Sequence, residues 1–230
     1  MTMIEINLQT VHARIAAACR AADRDVQEVT LLAVSKTFDA QSVAQAHAGG
    51  QIAFGENYVQ EAVQKIIQLR DLPLQWHCIG PIQSNKTRLV AEHFDWVHTV
   101  DRLKVAQRLS EQRPAGLAPL QVCLQLNVDG GASKSGIPAH EALALAKQVA
   151  GLPRLCLRGV MSIPDQAIDS VATYALFMRA RAVFDALNAE GLALDTLSMG
   201  MSADLEEAIR AGSTLVRVGS AIFGGRPQAA

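Results

Sequence analysis

The 230-residue chain carries 21 Lys and Arg against 22 Asp and Glu, a net charge of -1, and half of its residues are hydrophobic. That suffices for a sizeable core in one large domain or two small ones. It leaves no basic footprint for nucleic acid, and no apolar stretch approaches the ~20 residues of a membrane span.

An amphipathic helix is expected over about 5–22, ahead of a first apolar strand at 30–35. Strands then follow at 51–54, 75–79, 95–99, 121–128, 156–161, 195–199 and 214–218. Between them lie helical patterns near 40–48, 57–70, 84–93, 102–112, 138–150, 167–190 and 203–211. Several strands are continuously apolar, as parallel strands covered by helices are. Eight βα units predict a single TIM (β/α)8 barrel over 1–230, compact and with no room for a second domain after the eighth strand. A doubly wound open sheet is the alternative, because periodicity does not report closure. Cys19, Cys78, Cys123 and Cys156 form no CxxC, the usage of a reduced cytoplasmic protein. Met1–Glu5 lacks the basic and apolar regions of a secretory signal.

In such a barrel the chemistry collects at the C-terminal ends of the strands. Lys36 ends the first strand, Leu31-Leu32-Ala33-Val34-Ser35-Lys36. A partly desolvated lysine has a lowered pKa and serves as nucleophile or Schiff-base former; the plainer reading is a strand that reaches solvent there. After the seventh strand comes Gly200-Met201-Ser202-Ala203-Asp204, and after the eighth Gly219-Ser220-Ala221-Ile222-Phe223. Small residues that open helices at these two loops fit a phosphate site; alone, Ser202 is an N-cap and Gly219 a turn. A lysine opposite a phosphate site suggests pyridoxal 5′-phosphate (PLP). Arg217, two residues before Gly219, faces the same side of its strand and can reach a pyridine nitrogen, or else forms a salt bridge inside the barrel. Ser133-Lys134-Ser135-Gly136 is a candidate second anion site, while His77 reads as a core or barrel residue. His12, His47, His93, His98 and His140 show no metal-ligand spacing.

The segments LLAVSKT (31–37), FGENYVQEA (54–62), WHCIGPIQSNK (76–86), VHTVDR (97–102), SKSGI (133–137), RGVMSIP (158–164), LSMGMSADLEEAI (197–209) and VRVGSAIFG (216–224) resemble the YggS/PROSC-type PLP homeostasis proteins, in order, from about 30 to 225. The resemblance implies a fold-type III barrel similar to the N-terminal domain of alanine racemase, without the C-terminal β domain, and PLP carried on Lys36. It further implies Asn57 beside the cofactor, Ser202, Gly219 and Ser220 on the phosphate, and Arg217 facing the pyridine nitrogen. Many members have threonine where this chain has Ser220, which keeps the hydroxyl. The expected function is to hold PLP as a Schiff base in vitamin B6 homeostasis, with apo PLP-dependent enzymes as candidate recipients. The alternative is a racemase-like enzyme. Two-base racemisation needs an acid or base on each face of the substrate, and the chain has only Tyr58 and Tyr174 to offer as the second tyrosine. A small barrel without an edge strand is expected to be a monomer, and Lys134 is a candidate for a second PLP site.

Overall fold

A computed structural model describes residues 1–131, 135–165 and 167–225; Ser133 and Lys134, and with them the proposed second anion site, lie outside the described residues. Eight parallel strands close into a barrel in sequence order, with the first paired to the last. They are β1 (Thr30–Val34), β2 (Ala53–Glu56), β3 (Gln75–Cys78), β4 (Trp96–Val100), β5 (Leu120–Leu126), β6 (Leu155–Ser162), β7 (Thr196–Ser198) and β8 (Leu215–Val218). The open-sheet alternative is thereby excluded.

The helices are α1 (Met3–Ala21), α2 (Ala40–Ala48), α3 (Val59–Gln68), α4 (Thr87–His93), α5 (Leu103–Gln112), α6 (Ala142–Ala150), α7 (Ser170–Ala189), α8 (Leu205–Arg210) and the single turn α9 (Ser220–Phe223). Side-chain oxygens start several of them. Thr2 and Glu5 make a reciprocal capping box on α1, Asp39 accepts from Ser42 N on α2, and Asp169 accepts from Ala172 N on α7.

Among the strands, β2 is displaced as a whole and runs two residues later than the 51–54 pattern; helices α4, α6 and α7 start three or four residues later than their patterns. Gln51 is buried and spends its amide on the carbonyls of Leu31 and Ala53, so it closes the sheet from the side and does not pair within it. The shift brings Glu56 onto the strand and into the interior.

Alternation along the strands separates two cores. Leu31, Ala33, Phe54, Trp76, Val97, Leu124, Val160, Leu197 and Val216 pack against the helices. Inside the barrel, Leu32, Val34, Ala53, Ile79 and Leu215 form one cluster and Trp96, Cys123 and Met161 another. Polar residues fill the remaining interior positions, among them His77, His98, Ser198 and Arg217, all buried.

Candidate functional site

The C-terminal end of the barrel holds a cavity of about 310 Å³ lined by Lys36, Phe38, Asn57, Ser202, Arg217, Gly219 and Ser220 among others. All six residues singled out in the sequence therefore border one space. A larger cleft, about 550 Å³, opens at the opposite end around Arg24, Tyr174, Arg181 and Arg210. Its cations are engaged: Arg24 pairs with Glu28, Arg181 with Asp185, and Arg210 lies 4.1 Å over the Tyr174 ring. The smaller cavity has the chemistry.

Lys36 is half-buried and follows directly on β1. The loop that carries it is fixed by a lysine the sequence reading passed over. Lys65 on α3 is buried, and its Nζ lies 2.9 Å from Ser35 O, 2.9 Å from Phe38 O, 2.6 Å from Glu56 Oε1 and 2.8 Å from Glu61 Oε1. Three ammonium protons thus serve four oxygens, two of which bracket Lys36 in the chain. Ser35 Oγ donates to the same Glu56 oxygen at 2.6 Å, and Thr37 N donates to Glu61 Oε1 at 2.8 Å. Thr37 needs that anchor: its φ is 69°, a left-handed conformation that disfavours a β-branched residue. Burial pushes the Glu56 carboxyl above its usual range, opposed by the Lys65 ammonium. The signal was present in the sequence. Val59, Ala62 and Lys65 recur every third residue, so Lys65 shares the buried face of α3.

The loops after β7 and β8 come together opposite Lys36. Arg217 N donates to Gly200 O, which ties the two loops at their origin. Gly200 has φ 93°, and a Cβ there would collide with that of Ala208. Gly219 is needed for a different reason: its missing side chain would point at β1, 3.1 Å from Val34 O. At the start of α9 the N–H groups of Ser220 and Ala221 have no intrahelical acceptor, whereas those of Ile222 and Phe223 both bond Gly219 O. Helix α1 braces both loops. Arg14 Nη1 donates to Ser202 O at 3.1 Å and Asn7 Nδ2 to Ile222 O at 2.9 Å. Phe38 stacks on Phe223 at 5.1 Å, which joins the last loop to the lysine loop.

Arg217 is 4% exposed; Nη1 donates to Ser198 Oγ at 2.7 Å and Nη2 to Ser162 O at 2.9 Å. Burial lowers its pKa to about 10, with Asp204 opposing, so it remains a cation at neutral pH. Among the described residues its side-chain partners are a hydroxyl and a carbonyl, and the interior salt bridge considered for it is not formed. Asn57 Oδ1 is buried with no hydrogen-bond partner, and so is Ser162 Oγ at the same end of β6. Unmet polar atoms of this kind are costly unless a ligand or water serves them. His77 and His98 lie inside the barrel with at most 1% exposure, in keeping with structural roles. Among the described residues no cluster of His, Cys, Asp and Glu could hold a metal, and no helix is long and apolar enough to cross a membrane.

The family model of the alanine racemase N-terminal domain matches residues 6–227. The pyridoxal phosphate homeostasis protein of Pseudomonas aeruginosa is 59% identical over 98% of this chain and 97% of its own length. This chain belongs to the alanine racemase N-terminal domain family, within its branch of pyridoxal phosphate homeostasis proteins. Among solved structures, PipY of Synechococcus elongatus with PLP bound has a TM-score of 0.80 at 38% identity, over 93% of this chain and all of that one. Alanine racemase of Corynebacterium glutamicum shares the fold, with a TM-score of 0.67 at 18% identity over 94% of this chain and 61% of its own.

Proposed function

We propose that this chain binds PLP at the C-terminal end of its barrel and serves PLP homeostasis by holding and releasing the cofactor. The observation that carries the reading is the convergence of Lys36, Asn57, Ser202, Arg217, Gly219 and Ser220 on one cavity. The name shared by the relatives and the PLP held by PipY support it. The residues also suit the group. The free N–H groups at the start of α9 and the Ser202 and Ser220 hydroxyls are donors for a phosphate. Arg217 offers a cation, and the unpartnered Asn57 Oδ1 an acceptor. Bound PLP supplies an aldehyde, an electrophile for a primary amine. Lys36 provides that amine from a half-buried position, and the Lys65 network keeps its backbone in place. With PLP in the cavity, the Arg217 cation would disfavour protonation of the pyridine nitrogen, which would weaken the ring as an electron sink and favour storage over turnover.

A holding role without turnover is further supported by the tyrosines. Tyr174 sits on α7 beneath Arg210, at the other end of the barrel. Tyr58 borders a neighbouring cleft with Lys86 and Gln83 and is exposed. The whole chain is taken as one barrel unit that acts in the cytoplasm as a monomer and passes PLP to apo-enzymes.

The test is to load purified protein with PLP, record the visible band, reduce with borohydride and locate the modified peptide. A pyridoxyl adduct on Lys36 is expected. Lys36→Ala should lose the adduct yet retain PLP through the phosphate loops. An adduct of unchanged stoichiometry in Lys36→Ala would remove Lys36 from its role, and no visible band in the wild type would refute PLP binding.

A further inference from the structure

A file of polar side chains crosses the barrel interior and ends on Arg217. Gln75 Oε1, at the N-terminal edge of β3, lies 3.0 Å from His77 Nε2. His77 Nδ1 is 2.9 Å from His98 Nε2, and His98 Nδ1 is 2.9 Å from Ser198 Oγ, the atom that accepts from Arg217 Nη1. Trp96 stacks on His77 with ring centroids 5.2 Å apart and 7° between planes, so the imidazole cannot swing away.

The two ends of the file fix its direction. A guanidinium only donates. Ser198 Oγ therefore accepts from Arg217, and its own proton goes to His98 Nδ1. A neutral imidazole that accepts at Nδ1 carries its proton on Nε2. His98 donates from Nε2 to His77 Nδ1, and His77 donates from Nε2 to Gln75 Oε1, which can only accept. Each of these polar hydrogens is used. The reverse polarity would leave the serine proton without an acceptor and set the His77 Nε2 lone pair against the Gln75 oxygen. Both rings stay neutral. Burial pushes His77 down to about 3; burial first, then the nearness of His77 and the Arg217 cation, holds His98 well below its ordinary value. The other ionisable groups that act on the guanidinium are Asp204 and the Cys123 thiol, which burial keeps protonated.

We propose that His98 and His77 are positioning residues for Arg217: by committing the Ser198 proton inward, they turn its lone pairs toward Nη1 and lock the guanidinium's rotation, so that its remaining donors face the cavity shared with Lys36. This rests on the reading that Arg217 meets the bound PLP ring. Hydrogen bonds in such a chain polarise and strengthen one another, and a serine released from His98 would rotate and compete with the arginine donors.

The test combines nitrogen NMR of the ligand-free full chain with PLP titration of wild type, His98→Leu and His98→Gln, each checked for folding by circular dichroism. In the wild type both histidines should be Nε2–H tautomers, and the Arg217 Nη protons should give separate, slowly exchanging signals. In His98→Leu those signals should average, the visible band of bound PLP should shift, and its Kd should rise about tenfold. His98→Gln, which keeps an acceptor for Ser198, should recover most of the affinity and the band. Folded His98→Leu with resolved Arg217 signals, unchanged band and unchanged Kd would overturn the proposal, as would Nδ1–H tautomers or a protonated His98 in the wild type. If the wild type gives no visible band with PLP, the proposed function fails, while the tautomers and Arg217 signals still decide the positioning.

Discussion

Lys65→Met is the sharpest test of how the Lys36 loop is held. The substitution keeps the unbranched stem of the buried side chain, one atom shorter, and removes an ammonium with four oxygens within 2.9 Å. Glu56, 1% exposed in its side chain, then keeps only the Ser35 hydroxyl as a partner. Removing one member of a buried pair typically costs about 3–5 kcal/mol, because the other charge is stranded. The freed carbonyls of Ser35 and Phe38 add to that. The loss should also depend on pH. Burial already raises the Glu56 pKa and Lys65 opposes the rise, so the variant's carboxyl is raised further. The folded variant then binds a proton that the unfolded chain has released. Its stability therefore falls as pH rises above the ordinary carboxylate range, by up to about 1.4 kcal/mol per pH unit until the folded pKa is passed. Urea unfolding followed by circular dichroism at pH 5 and pH 8 reads both effects. Glu56→Leu added to Lys65→Met should restore more than about 1 kcal/mol, since neither charge is then stranded. Lys65→Met at pH 8 within about 1 kcal/mol of wild type, or a double variant no more stable than the single, would show that Lys65 does not hold the loop in this way.

Ser202→Asp sets a carboxylate in the wall of the cavity; PLP Kd should rise at least about tenfold through like-charge repulsion with the phosphate, and an unchanged Kd in an absorbance titration would remove Ser202 from that wall. Gly200→Ala places a Cβ at φ 93° against Ala208 and should cost about 2–4 kcal/mol, seen as a lowered Tm; an unchanged Tm would deny the tight packing of the loop. Because His77 is held near 3 in the fold and near 6.5 when unfolded, the unfolded chain binds the extra proton between those values, and stability should fall as pH drops below about 6.5, by about 2 kcal/mol at pH 5 from His77. His77→Gln should flatten that slope in urea unfolding, and an identical slope would show that His77 does not titrate this way.

The fold was legible because its signals are local and repeated. Each strand is a short apolar run and each helix a 3.6-residue pattern, and their alternation over eight units leaves few topologies. The residues of the cavity wall were legible for a related reason: the barrel puts them at strand ends, where Lys36, Asn57 and Ser202 stand out as polar after apolar runs. What was missed depends on distance in sequence. Lys65 looks like any helical lysine until the register of α3 is compared with its apolar face. His98 was set beside four other histidines, yet its inward direction follows from alternation with Val97, which packs against the helices. That it meets Ser198, a hundred residues away, requires barrel closure. The two-residue offset of β2 was hidden because Gln51, a polar residue with its amide spent on two carbonyls, sits where the apolar run begins.

The same dependence on distance explains why the first helix belongs to the site although no residue of it borders the cavity. Loops rich in small residues gain close approach to an anion at the expense of side-chain packing, so something outside must hold them. Here α1 does so from behind. Asn7 reaches the carbonyl of Ile222 and Arg14 that of Ser202, both acceptors on the reverse side of the two loops. The Arg14–Glu206 ion pair is partly exposed and adds little stability by itself. Its contribution is geometric, because the guanidinium that bonds Glu206 is the one that fixes Ser202 O. On the other flank, Phe223 stacks on Phe38, two residues after Lys36. The lysine loop is thus connected to the last loop through an aromatic contact, and the last loop to α1 through Asn7. A binding wall assembled from residues 36, 57, 202, 217, 219 and 220 is held in one geometry by contacts that span the chain from Asn7 to Phe223.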